Sequence, residues 1–123
     1  MSPNAHVYEA LVVLSAPLAA RARGRDSVDL ALACLALGWQ TALLFVGAAR
    51  DWLSAQQTPL SEGPDPFPRT LASLPLYELA AVHVLDDRPN AEAWPSLGTL
   101  PVQVLRSSDL PRLLRSAAHV LHP

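Results

Sequence analysis

Residues 30–49 read LALACLALGWQTALLFVGAA, twenty consecutive positions without a charge. Such a run is either a membrane span or the interior of a small folded domain. Crossing the hydrocarbon core takes roughly 20 apolar residues in one unbroken helix, and the length is met. The middle of the run, Gly38-Trp39-Gln40-Thr41, argues the other way. Glycine is favoured just past a helix C-terminus, and two polar residues follow almost at once. Before this break, Leu, Ala and Cys suit a helix. After it, Ala42-Leu43-Leu44-Phe45-Val46 is an apolar block of strand length that closes on Gly47. Asp26 is placed to cap the helix, with Asp29 adding negative charge to its first turn. A capped helix, a glycine stop and a buried strand make one half of a β-α-β unit, so the stretch reads as core.

The same logic extends along the chain. Five apolar blocks have strand length: 9–14, 42–46, 81–85, 101–105 and 118–121. They run continuously rather than alternating, as in parallel strands covered on both faces. Helical stretches fall between them, at 27–37, 48–56, around 69–77, near 92–97 and at 110–117. Alternation of this kind predicts an α/β domain with right-handed crossovers. The 123 residues suffice for one domain, 1–123, with its own core. Four of the twelve prolines collect in TPLSEGPDPFP, 58–68, which reads as a surface loop. ALVVLSAPLAA, 10–20, has the apolarity of a signal-peptide core but no Lys or Arg ahead of it. It reads as the first strand.

The formal charge of −2 gives no electrostatic reason to expect nucleic acid or an anionic membrane as a direct partner. All nine basic residues are arginine, and neither Lys nor Ile occurs. That pattern suits a GC-rich coding bias. A single cysteine allows no internal disulfide and no metal-type spacing, which fits a reducing cytoplasm.

In parallel sheets, chemistry gathers at the carboxyl ends of the strands. Those ends are predicted to carry Ser15-Ala16-Pro17, Gly47-Ala48, Asp86-Asp87-Arg88 and Arg106-Ser107-Ser108. The first loop has no glycine-rich phosphate cradle. Its Arg21, Arg23 and Arg25 precede the positive end of a helix dipole, either as a solvated loop or as a contact for an anion or acidic partner. Asp86-Asp87 stands where phosphoryl-transfer receivers hold Mg²⁺, but those also need a lysine, so Asp-Asp-Arg-Pro-Asn reads as a turn. His6, His83, His119 and His122 form no ligand set: His119 and His122, three apart in a strand, face opposite ways, and His83 reads as packed in the sheet. Ser15 lacks the G-x-S-x-G elbow of a strand-end nucleophile. Cys34, among Leu and Ala, reads as a buried, protonated thiol. No catalytic, cofactor or metal constellation emerges.

The first helix offers no polar residue from Leu30 to Leu37, although a helix outside a sheet needs a wet face. A second subunit is the expected cover. Leu30, Cys34 and Leu37 would then lie at the contact, with Trp39 and Trp52 as anchors. Core packing is the alternative for both tryptophans.

Gly24-Arg25-Asp26-Ser27-Val28-Asp29 leading into an Ala/Leu helix, followed by Leu43-Leu44-Phe45-Val46, resembles the DsrE/DsrF/DsrH-like sulfur-relay proteins. Leu74-Pro75-Leu76-Tyr77-Glu78-Leu79 is similar to a Leu-x-Leu-Tyr-Asp-Ile type segment of the DsrF/TusC branch. Ser108-Asp109 opening a Leu/Arg helix and Ala118-His119-Val120-Leu121 closing the sheet agree with it. The resemblance implies a three-layer α/β/α fold with a five-stranded parallel sheet. It also implies DsrE/TusD-like and DsrH/TusB-like partner subunits in hetero-hexamers that carry sulfur as a cysteine persulfide, toward tRNA 2-thiouridine or within sulfur oxidation. The DsrE-type subunit has its relay cysteine just after the third strand. Here that place reads Val84-Leu85-Asp86-Asp87-Arg88, so the resemblance implies a non-catalytic subunit, with Asp86 and Asp87 on a rim. Two alternatives stand beside it: a sulfur carrier using Cys34, and a stand-alone homo-oligomeric domain that binds a small ligand at the strand ends.

Overall fold

The computed structural model describes residues 6–17, 19–55, 71, 73–88, 94 and 96–123. Five strands form a single all-parallel sheet in the order β4-β3-β2-β1-β5. They are β1 (Tyr8–Leu14), β2 (Thr41–Phe45), β3 (Ala81–Leu85), β4 (Val102–Leu105) and β5 (Ala117–Leu121). The predicted blocks and these strands agree to within a residue or so at each end. Helix α1 (Arg21–Ala36) links β1 to β2. A 3-10 turn, Gly47–Arg50, runs into the short α2 (Asp51–Ala55). A second 3-10 turn, Leu74–Tyr77, leads to β3, and a third, Ser107–Asp109, leads into α3 (Leu110–Arg115). The predicted 58–68 loop lies outside the described residues, as do residues 92, 93 and 95 of the 92–97 segment.

Alternation along the strands divides the core into two layers. Val12, Leu14, Leu43, Phe45, Val82 and Val84 meet Val28 and Ala31 of α1 and Trp52 and Leu53 of α2. On the opposite face, Leu11, Val13, Ala42, Leu44 and Ala81 pack with Leu113 of α3. This is the three-layer α/β arrangement. Each fully buried aliphatic side chain contributes about 1.5–3 kcal/mol, so the two layers hold the fold from both sides. The expectation that every strand is covered on both faces holds for the interior of the sheet only. At the edge, β5 exposes Ala118, His119 and Val120.

α1 departs from the sequence reading at its start. It begins at Arg21, six residues before Ser27, with Ala20 at the N-cap and no side-chain cap. Asp26 is therefore an interior helix residue, not a cap. The buried positions Gly24, Ser27, Val28, Ala31 and Cys34 fall at helical spacing and form one stripe facing the sheet. Burial of that stripe, rather than a local cap, sets where the helix begins. Its end is read correctly. Gly38 sits at φ 81, its N–H donates to Leu35 O at 2.9 Å, and Trp39 N donates to Cys34 O at 3.1 Å. This pair of bonds is a Schellman termination, which needs the left-handed backbone glycine adopts freely.

The longer helix also corrects the inference of a missing wet face. Arg21, Arg23, Arg25, Asp26 and Asp29 lie along its exposed side, and Ala33 and Ala36 continue it. Alanine costs little when exposed, so most of that side needs no cover. Leu37 is the exception, at 69% exposure. Among the described residues, no helix is long and apolar enough to cross a membrane.

Candidate functional site

The connections leaving β3 and β4 part company. After β3, Trp94, Leu97 and Leu100 pack on the α1 side of the sheet; after β4, Leu110, Leu113 and Leu114 pack on the other. In α/β sheets, ligands commonly sit at the carboxyl ends of adjacent strands whose connections diverge. The residues at these two strand ends are charged.

Asp86 follows β3 directly and is fully buried. Its N–H extends the ladder by donating to Leu105 O at 2.9 Å. Its carboxylate receives Arg88 Nε at 2.9 Å on Oδ1 and Arg88 Nη2 at 2.7 Å on Oδ2. The Arg88 backbone N–H (3.1 Å) and the Trp94 indole N–H (3.0 Å) donate to it as well. Arg50, from the turn after β2, brings Nη1 to 3.5 Å of Oδ1 and also donates to Leu85 O. Arg106, following β4, donates from Nη1 to Asp86 O at 2.9 Å and to Arg88 O. The Arg88 guanidinium lies 5.6 Å from the Trp94 ring centroid, within cation–π range.

Bonds to Arg88 hold the Asp86 carboxyl well below the usual carboxylate range, outweighing the upward push of desolvation. The same pairing raises Arg88. Asp87 is exposed. Its carboxylate accepts the Ser107 hydroxyl and, at 2.7 Å, the Ser107 N–H, and these bonds lower its pKa. The turn reading of Asp86-Asp87-Arg88 thus needs correction at Asp86, which is a buried ionic centre rather than a solvated turn or rim residue. Asp87 is exposed at the strand end. The sequence signal for this centre is the set of arginines near three separate strand ends, which an arginine-rich coding bias masks.

Other expected residues fall in different places. Ser15 and His122 are brought together: Oγ and Nε2 are 2.7 Å apart. Parallel pairing of β1 with β5 does this, since Val12 stands opposite Leu121. Among the described residues no carboxylate orients His122, so the pair lacks the third member of a nucleophile–base–orienter set. His83 is buried on β3 with Nε2 3.2 Å from the Tyr8 hydroxyl, and burial lowers its pKa. An open groove of about 400 Å³ lies beside α3, lined by Tyr8, Leu105, Asp109, Arg112 and Leu113 among others. His119 stacks on Trp39, centroids 5.3 Å apart. Among the described residues no three metal-ligating side chains come together.

Cys34 is 4% exposed, and burial pushes its thiol pKa up. Trp52 is a core residue: 3% exposed, its indole N–H donates to Ala16 O at 2.9 Å. Trp39 and Leu30 are half-buried, and Leu37 is exposed. Arg21, Arg23 and Arg25 are exposed positions within α1 rather than in a preceding loop. No family model matches the chain, and no curated protein matches it.

Proposed function

We propose that this chain is a non-catalytic subunit of a DsrEFH/TusBCD-like sulfur-relay complex, of the DsrF/TusC type. In this reading a sister subunit carries the persulfide and this chain helps build the complex. The observation that carries it is the end of β3. At the position where the resemblance puts a relay cysteine, this chain has Asp86, buried and bonded to Arg88, Trp94 and Arg50. A carboxylate cannot accept sulfane sulfur, and sulfur transfer requires a thiolate. The all-parallel five-stranded sheet and the segments quoted above support the same reading. The outward side of α1 does not, because that side is largely polar or alanine.

Cys34 is a poor carrier in its own right. Its thiol is sealed by the fold and held protonated by desolvation. The homo-oligomeric ligand-binding alternative draws support from the charged carboxyl ends of β3 and β4. A tagged pull-down from the native host, read by mass spectrometry, separates the two. Two small α/β relatives co-purifying, one with a cysteine after its third strand, is the expected result. Recovery of the chain alone as a homo-oligomer would overturn the subunit reading.

A further inference from the structure

We propose that Arg50, Arg88 and Arg106 form a binding site for a phosphate-type oxyanion, as inorganic phosphate or as the head of a phosphate monoester. The three side chains come from the carboxyl ends of three adjacent strands, β2, β3 and β4. All converge on one residue. Arg50 and Arg88 reach the Asp86 carboxylate, and Arg106 reaches its carbonyl.

Depth separates Asp86 from its arginines. Asp86 is 0% exposed, whereas the side chains of Arg50 and Arg88 are 33% and 66% exposed. Its carboxylate oxygens are occupied by Arg88, Trp94 and Arg50, and the Asp87 carboxylate is turned onto Ser107. The Asp86 acceptors are used within the fold and the exposed Asp87 is engaged by Ser107, while the cations reach solvent. A guanidinium carries five N–H donors on three nitrogens. Bonds to the described residues use Nε and Nη1 of Arg50, Nε and Nη2 of Arg88, and Nη1 of Arg106. Each arginine retains donor capacity beyond these bonds.

The geometry selects the ligand class. One bidentate arginine satisfies a planar carboxylate, whereas donors arriving from three loops suit a tetrahedral oxyanion with several oxygens. The carboxyl ends of strands with diverging connections, as β3 and β4 are, are also where such sheets take ligands. In this arrangement Asp86 is a positioning residue. It fixes Arg88 and Arg50 before any ligand arrives, which lowers the ordering cost of binding. The inference does not rest on the subunit reading, and a pull-down without relatives leaves it standing.

The test is isothermal titration of the full chain with inorganic phosphate and, separately, with adenosine monophosphate, at constant ionic strength. One saturable site is expected. Its affinity should fall about 10-fold or more in Arg106→Gln, the loss of a charge-assisted bond. Arg112→Gln on α3 should match the wild type. Because Arg106 also ties two loop carbonyls, its variant can lose structure. The wild type therefore supplies a second readout, in which phosphate shifts the Nε–Hε NMR resonances of Arg50, Arg88 and Arg106. Equal affinity for both probes would identify a free oxyanion, and tighter adenosine monophosphate binding a phosphate monoester; both uphold the site. Absence of saturable binding, or shifts confined to Arg21, Arg23 and Arg25, would overturn it.

Discussion

Asp86 at the end of β3 and Cys34 in α1 are both sealed from water, yet they are in opposite states of charge. Desolvation pushes both pKa values up. At Cys34 nothing opposes it, and the thiol stays neutral. At Asp86, Arg88, Trp94 and the backbone bond the charged form directly, and the carboxyl is driven down instead. Burial alone therefore does not predict reactivity; the partners that arrive with it decide. The contrast bears on the proposed subunit reading. The end of β3 holds a locked, buried ion, while the only thiol is buried and protonated.

The contrast is most severely tested by removing the ion. Asp86→Ala leaves the Arg88 and Arg50 guanidiniums without their counter-charge and releases Trp94 and the turn after β2 from the end of β3. The melting temperature is expected to fall by more than about 10 °C, measured by circular dichroism. A fall no larger than that of a surface substitution would show that the cluster does not hold the strand ends together.

Acid titration sharpens the comparison by separating two buried groups. His83 has a folded pKa lowered by burial. The unfolded chain thus takes up a proton below about pH 6.5 that the folded chain resists. Stability is full above that pH and is lost as pH falls toward the folded value. Asp86 follows the same sign in a lower window: its contribution is present above about pH 4 and is lost as the pH drops further. Melting temperatures should fall by a few degrees between pH 7 and pH 5 and more steeply below pH 4. His83→Gln should flatten the upper step alone. A single acid transition unaffected by His83→Gln would count against this assignment.

Removing the sulfur should matter least. Cys34→Ala deletes one buried, uncharged atom, at a cost of about 1 kcal/mol, read from denaturant unfolding. Native Cys34 should also react with a thiol reagent far more slowly than the unfolded chain. Fast labelling of the native protein would break the contrast and restore Cys34 as a candidate carrier.

How far these features can be read without coordinates depends on how local their cause is. The five strands are legible because each is a short apolar run with turn residues at its ends. The stop of α1 is legible because Gly38 answers a need of the backbone there. The start of α1 is not, since Asp26 is a good local cap but burying Gly24 and Ser27 against the sheet favours a longer helix. Trp52 was equally plausible as interface or core; it is core because Ala16, 36 positions earlier, supplies an acceptor for its indole.

By itself, then, the sequence determined a parallel α/β domain, the order of its elements, a thiol without a polar neighbour and an acidic pair after the third strand. Only the tertiary structure decided that Asp86 is buried, that Arg50, Arg88 and Arg106 meet on it, and that Ser15 touches His122. The physical reason is distance along the chain. Apolar runs and glycine stops act within a few residues. Arg50 and Arg106 lie 36 residues before Asp86 and 20 after it, and they meet it only because the crossovers place β2, β3 and β4 side by side.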